Sequence, residues 1–121
     1  MKLPVITGFL FLVAIFHGVL AFNASATTYY VNAGNSAPVS PYTSWLTAAT
    51  NIQDAVAQTA NGDTVLVTNG VYAFGGVTAM GGVLTNRIAI SNAVTVESVN
   101  GPWATAIVGE GMTNGNQAIR C

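Results

Sequence analysis

The chain has 121 residues, a length that suits one small domain. Only 6% of its residues are charged and 51% are hydrophobic, which excludes an intrinsically disordered chain, since such chains are charged and poor in apolar residues. The formal net charge is −1 and no basic run occurs, so we expect no nucleic-acid partner.

The N-terminus has the layout of a secretory leader. A positive residue, Lys2, precedes an apolar run over residues 3–22, and an Ala-Ser-Ala motif that ends at Ala26 has the small-x-small pattern of a cleavage site. This layout predicts a signal peptide over residues 1–26, cleavage after Ala26, and a secreted or cell-surface protein. The alternative is an uncleaved leader that tethers a small β-domain, because about 20 apolar residues can span a bilayer. In that case the leader is the only membrane contact that we expect.

The chain has one histidine and one cysteine, and their positions exclude several kinds of site. His17 lies within the predicted leader, so a chain that begins at Thr27 has no histidine for a Ser-His-Asp triad or a zinc site. Cys121 is the last residue, so no internal disulfide can form. A lone terminal thiol is unusual in an exported protein, and it favours the interpretation that the sequence stops inside a domain.

A strand and a loop are the first elements predicted after the leader. Residues 27–33 (TTYYVNA) are rich in Thr, Tyr and Val, which favour strands. Residues 34–44 contain Gly34, Pro38 and Pro41, which favour a loop. The chain therefore leaves its first strand through an irregular connection.

An amphipathic helix is predicted over about residues 46–60. Its apolar residues recur at helical spacing and form one stripe: Trp45, Ala48 or Ala49, Ile52, Ala55, Val56 and Ala60. Ser44 or Thr47 is expected to cap its N-terminus. Asn61-Gly62 is expected to end it in a left-handed conformation.

Beyond Gly62 the apolar period changes to that of strands. Val65 and Val67 share one face of the first strand, which we expect to point into the core, and Asp63 is expected to bind turn amides. Further short strands are predicted over residues 71–74, 87–90, 94–99, 104–111 and 117–121, separated by turns and by a Gly-rich loop. An antiparallel meander with Asn-Gly hairpins and a parallel β-solenoid both fit this rhythm.

One set of residues matches a family pattern. The pattern is a Tyr-Val strand, an aromatic residue, an Ile-Gln-x-Ala helix and a Gly-Asp-x-Val-x-Val-x-x-Gly-x-Tyr segment: Tyr30, Val31, Trp45, Ile52, Gln53, Ala55, Gly62, Asp63, Val65, Val67, Gly70 and Tyr72. Residues 28–111 thus resemble the N-terminal region of secreted right-handed parallel β-helix proteins of the pectate-lyase-like superfamily. The resemblance implies a mainly β fold. It would have a strand, loop and amphipathic capping helix over residues 27–61 and the first coils of an incomplete right-handed parallel β-helix over residues 62–121.

The same resemblance implies an extracellular polysaccharide as partner. Because lyases, hydrolases, epimerases and non-catalytic surface proteins share the fold, two functions stay open. One is a β-helix protein that binds or processes polysaccharide, with any active site downstream of these residues, and the other is a structural β-helix of the adhesin type. No cofactor is expected in this segment. Family lyases hold Ca²⁺ with converging carboxylates, so Ca²⁺ is implied for a full-length protein by resemblance only.

Few residues are candidates for a site. Three acidic residues are isolated along the chain: Asp54, Glu97 and Glu110. We expect them to be structural, with Glu97 pairing across strands with Arg87, so no catalytic residue and no metal ligand is assigned. Trp45 is expected to plug the cap. Trp103 follows Asn-Gly-Pro in a turn and is the candidate for stacking on a sugar ring.

Overall fold

The computed structural model of the chain describes residues 25–79, 81–111 and 118–121. Of the predicted signal peptide only Ser25 and Ala26 are described, and both are exposed. The rest of the leader and the predicted turn at residues 113–116 lie outside the described residues. The described chain is mainly β: β1 (Thr28–Val31), α1 (Ile52–Val56), β2 (Thr64–Val67), β3 (Gly70–Tyr72), β4 (Val77–Thr78), β5 (Thr85–Asn86), β6 (Thr95–Ser98), β7 (Thr105–Ile107) and β8 (Ile119–Arg120).

Three parallel strands form the first sheet, in the order β1-β2-β6. The register aligns Thr28 with Thr64 and Thr64 with Thr95, and it continues without a shift to the end of each strand. Alternate side chains of β1 and β2 are buried, because successive residues of a strand point to opposite faces. Val65 and Val67 face the core, as predicted.

The Asn69-Gly70 turn connects strands of different sheets. β2 ends before it, whereas β3 begins at Gly70 and pairs in parallel with β7. A hairpin at this turn would pair β2 with β3 in antiparallel, so the meander alternative is wrong at this position. The turn is instead a corner between two sheets, and in each sheet a later strand lies parallel to an earlier one.

A third, smaller sheet contains β4, β5 and β8. β4 pairs antiparallel with β5, so the predicted Gly-rich loop includes a short strand, and β5 pairs in parallel with β8. The strand predicted over residues 87–90 is wrong, since none of the described strands covers them. The Ala89 N–H instead donates to Gln53 Oε1 at 2.8 Å, and the Ala89 carbonyl accepts from Gln53 Nε2 at 3.4 Å. The side-chain amide of a helix residue thus takes the place of a neighbouring strand.

The helix is much shorter than predicted, because α1 covers Ile52–Val56 and not residues 46–60. Ala49 pairs with β1 as a strand residue would. Its N–H donates to the Tyr30 carbonyl at 2.9 Å, and its carbonyl accepts from the Asn32 N–H at 2.8 Å. Backbone groups used in this way are lost to a helix, so the helix starts only after this pairing ends.

The two ends of the helix follow the sequence only in part. Asn51 is the N-cap, and its side-chain oxygen accepts from the Asp54 N–H at 2.9 Å. Ser44 and Thr47, which were the predicted caps, bond to each other in an earlier turn, with 2.8 Å between their hydroxyl oxygens. Gly62 has φ of +92°, so the reversal into β2 uses the predicted left-handed conformation.

The core lies where α1 packs on the first sheet. It contains Tyr29, Val31, Ala49, Ile52, Ala55, Val56, Val65, Val67 and Tyr72. Val31 and Val65 are fully buried, and the Tyr72 hydroxyl donates to the Thr68 carbonyl at 3.0 Å. The predicted cap region and the strands after it therefore share one core.

Candidate functional site

An open cleft beside Trp45 is the candidate site. It has a volume of about 500 Å³ and is lined by Asn32, Trp45, Thr68, Asn69, Val99 and Asn100. All of these side chains are neutral. Three of them are amides, which both donate and accept hydrogen bonds.

The register of the first sheet brings these residues together. Thr68 follows β2, and its N–H donates to the Val31 carbonyl at 2.9 Å. Val99 follows β6, and its N–H donates to the Val67 carbonyl at 2.9 Å. Since parallel strands end at the same edge of a sheet, the residues that follow β1, β2 and β6 gather at one edge.

Side-chain amides form one wall of the cleft. Asn100 Nδ2 donates to Asn69 Oδ1 at 2.7 Å, across 31 residues of sequence, and both side chains are exposed. The side-chain nitrogen of Asn69 and the side-chain oxygen of Asn100 have no hydrogen-bond partner among the described residues. Asn32 Oδ1 accepts from the Gly34 N–H at 3.0 Å. Donors and acceptors are therefore both open to a ligand.

An indole ring forms another wall. The Trp45 side chain is 41% exposed, so the expectation that it plugs the cap is wrong. Its ring meets the ring of Tyr30 edge to face, with 4.5 Å between centroids and 65° between planes. Trp103 is 99% exposed, as its turn predicted, but it is not among the residues that line this cleft. One tryptophan is thus held by a neighbouring ring, and the other projects into solvent.

The cleft suits a neutral ligand that is rich in hydroxyl groups. An indole offers an apolar surface to the C–H face of a sugar ring, and the amides match pairs of hydroxyls. Sequence reasoning missed the asparagines because Asn69 and Asn100 were interpreted only as turn residues. The signal that was available is the Asn-Gly pair at both positions.

Asp63 binds backbone amides, as predicted. Oδ2 accepts from the Ala60 N–H at 2.7 Å and Oδ1 accepts from the Thr27 N–H at 2.8 Å. These two bonds, with a smaller contribution from the Tyr29 hydroxyl, hold the pKa of Asp63 below its ordinary value, because they stabilise the charged form. Burial, together with the nearby carboxylate, raises the pKa of Tyr29.

Arg87 does not pair with Glu97, and that prediction is wrong. The Arg87 side chain is buried and donates through Nε to the Val108 carbonyl at 2.8 Å and through Nη1 to the Gly75 carbonyl. Glu97 lies on β6 beside Leu66 and is exposed. The sequence showed a charge but not the carbonyl groups that would surround it.

The described acidic residues do not fit the calcium ion that the family resemblance implies. Asp54 accepts from Asn51 Nδ2 at 2.7 Å, both oxygens of Asp63 accept backbone amides, and Glu110 lies in an antiparallel bridge with Ile119. In the part of the chain that the structure describes, no three side chains of His, Cys, Asp or Glu converge. A calcium ion takes six to eight oxygen ligands, usually with several carboxylates.

Comparisons with protein-family models, with curated proteins and with solved structures gave no match. The fold and the cleft define the chain as a mainly β protein with parallel strand pairs and a neutral, amide-lined cleft at one sheet edge. Among the described helices, none is long and apolar enough to cross a membrane.

Proposed function

We propose that this is an exported parallel β-helix protein that binds or processes an extracellular polysaccharide, and that the cleft beside Trp45 contacts the sugar. The observation that carries the proposal is the cleft itself, where a partly exposed indole faces side-chain amides that have unused donors and acceptors. The resemblance of the cap sequence to secreted β-helix proteins supports the same ligand class.

The strand pairing supports the β-helix part of the proposal. In a parallel β-helix each coil contributes a strand to each of several sheets, so equivalent strands stack in parallel. β1, β2 and β6 stack in this way in one sheet, and β3 and β7 stack in a second. The corner at Asn69-Gly70 connects β2 of the first sheet to β3 of the second. Asn100-Gly101 lies at the equivalent corner between β6 and β7, and the Asn100 side chain donates to that of Asn69.

The neutral lining makes the proposal specific. Acidic polysaccharides such as polygalacturonate need cationic partners, and the cleft residues supply none. We therefore expect a neutral glycan. The two described arginines do not serve this cleft, because Arg87 binds backbone carbonyls and Arg120 lies on β8.

The test compares two tryptophan variants of the full-length protein in binding assays with neutral and acidic polysaccharides. Trp45→Ala should weaken neutral-glycan binding about fivefold, since stacking of an aromatic ring contributes on the order of 1 kcal/mol. Trp103→Ala, which removes an equal side chain outside the cleft, should change it less than about twofold. Urea midpoints of both variants check that the fold is kept.

Three results would contradict parts of the proposal. Loss of binding in Trp103→Ala alone would show that the sugar binds at the Trp103 turn. Binding only to acidic glycans would show that the neutral cleft is not the binding site. Binding to no polysaccharide would show that the ligand is not a polysaccharide.

A structural, adhesin-type β-helix is the second candidate, and the Asn69–Asn100 bond favours it. Stacked asparagine side chains strengthen parallel coils without any ligand. Under this alternative Asn100→Ala lowers the urea midpoint and no glycan binds. Under the first proposal Asn100→Ala also weakens glycan binding.

A further inference from the structure

Among the described residues, Thr27 is the first that forms a hydrogen bond. Its N–H donates to Asp63 Oδ1 at 2.8 Å, and its carbonyl accepts from the Thr64 N–H at 2.9 Å. Ser25 and Ala26 are exposed, and neither takes part in a hydrogen bond among the described residues. The first described residue that hydrogen bonds connect to the fold is therefore the residue after the predicted cleavage site.

The group that receives the Thr27 nitrogen is a buried carboxylate. Asp63 is 5% exposed, and its second oxygen accepts from the Ala60 N–H at 2.7 Å. The Tyr29 hydroxyl adds a smaller contribution to the lowered pKa of this carboxyl. These donors are neutral groups, so the negative charge is stabilised only by dipoles. A positive charge placed at the Thr27 nitrogen would sit within hydrogen-bond distance of this carboxylate.

We propose that cleavage after Ala26 creates the partner for this charge: the new α-ammonium group of Thr27 forms an ion pair with Asp63 and locks β1 onto β2. Hydrolysis breaks the bond between the Ala26 carbonyl carbon and the Thr27 nitrogen. Water supplies OH to the carbon and H to the nitrogen, and the freed amine takes up one proton at neutral pH. The Thr27 nitrogen changes from an amide donor into a cationic one without leaving its position.

The ion pair connects processing to folding. Thr27 precedes β1, and Asp63 precedes β2, so the pair fixes the start of the parallel register at Thr28 and Thr64. Before cleavage the same position supplies only a neutral amide bond. The mature chain is therefore more stable than the precursor in the segment that starts the first sheet. The inference rests on the export included in the proposed function and not on polysaccharide binding.

The first test is the N-terminus and its titration in the full-length exported protein. N-terminal sequencing should find Thr27, and any other first residue would overturn the inference. An α-amino group ordinarily has a pKa of about 7.7–8.0. NMR titration should place the pKa of the Thr27 amine above that range, because Asp63 Oδ1 lies 2.8 Å from the Thr27 nitrogen. Tyr29 is uncharged at neutral pH, so Asp63 decides the direction.

A matched form that retains Ser25 and Ala26 is the control, since its amine is displaced by two residues from the carboxylate. Its amine should titrate in the ordinary range, and its urea midpoint at pH 7 should be lower than that of the mature form. A group whose pKa is raised by folding stabilises below its unfolded pKa and loses that effect as pH rises through the folded pKa. The difference in midpoint between the two forms should therefore shrink as pH is raised from 7 towards about 10.

Asp63→Asn separates the ion pair from other effects of the extension. In this variant the two N-termini should give the same midpoint at pH 7, and the Thr27 amine should titrate in the ordinary range. If Asp63→Asn does not fold, the comparison of mature and extended forms over pH decides alone. Equal amine pKa values, or a midpoint difference that does not depend on pH, would overturn the inference while leaving glycan binding untouched.

Discussion

Arg87→Met removes the donors that hold three segments of the chain together. Arg87 is 4% exposed, and its guanidinium donates to the carbonyls of Val108 and Gly75. Methionine keeps much of the length and apolar contact of the side chain but has no N–H group. Both carbonyls would be left without these donors.

The expected loss can be worked from these contacts. A hydrogen bond to a charged donor contributes about 1.5–3 kcal/mol, and two such bonds are lost. Part of this is offset, because methionine does not carry the cost of burying a charge. We therefore expect a net loss of about 2–4 kcal/mol in the free energy of unfolding. With a urea m-value of about 2 kcal/mol/M, the midpoint falls by about 1–2 M.

Urea unfolding of the full-length protein, followed by tryptophan fluorescence, measures this shift. Arg120→Met is the matched control: it removes the same charge from an exposed side chain and should cost less than about 0.5 kcal/mol. Arg87→Lys keeps the charge but not the planar fork, and should fall between the wild type and Arg87→Met. Equal midpoints for Arg87→Met and Arg120→Met would refute the role of the buried guanidinium.

Three further predictions concern residues around the first sheet. Gly62→Val should cost about 1–2 kcal/mol by urea midpoint from backbone strain alone, since φ is +92° and nothing lies within 4 Å of an added Cβ, and an equal midpoint for valine would contradict this. Because folding lowers the pKa of Asp63 below its ordinary value of 3.8, the charged carboxylate stabilises the folded state above that pH, and this stabilisation is lost as pH falls through the folded pKa. The urea midpoint of Asp63→Asn should therefore depend less on pH below about 4 than that of the wild type, and an equal dependence would contradict this. Gln53→Ala should cost about 1–2 kcal/mol by removing both bonds to Ala89, whereas Gln58→Ala, at an exposed site, should cost less than about 0.5; equal costs would contradict the role of the Gln53 amide.

The features that the sequence predicted correctly are local ones. The alternation of Val65 and Val67 depends only on the period of a strand, and it placed both in the core. The left-handed Gly62 follows from the chemistry of Asn-Gly turns. The amide bonds of Asp63 follow from the habit of short acidic side chains in turns, although only one of its two donors, Ala60, is near in sequence.

The features that the sequence did not predict depend on partners that are distant along the chain. The apolar residues around Ala49 do recur at helical spacing, but the backbone groups of Ala49 bond to those of Tyr30 and Asn32 and are not available to a helix. Helix propensity is a weak preference, and two backbone hydrogen bonds to a neighbouring strand are enough to override it. Arg87 illustrates the same limit, because no pattern in the sequence indicates that the Gly75 and Val108 carbonyls converge on it.

The candidate site was out of reach for a related reason. Asn69 and Asn100 each lie in an Asn-Gly turn, and as single turns they indicate nothing beyond a change of direction. They become one surface only when the parallel register of β2 and β6 stacks the two turns. Trp45 joins them because the loop before α1 returns to Tyr30. The cleft therefore could not be predicted without the register of β2 and β6.

Only 6% of the residues are charged, and several charged and amide side chains of this chain bond to backbone groups that have no strand partner. Strands of two to four residues leave many N–H and C=O groups at corners without a strand partner, and buried groups of this kind need one. Asp63 binds two amides, Arg87 binds two carbonyls, and Gln53 binds both groups of Ala89. The asparagine amides at the cleft are used only in part: Asn100 Nδ2 donates to Asn69 Oδ1, whereas the side-chain nitrogen of Asn69 and the side-chain oxygen of Asn100 have no partner among the described residues. Because these remaining groups are free to bind, the cleft is where we expect ligand recognition in this part of the chain.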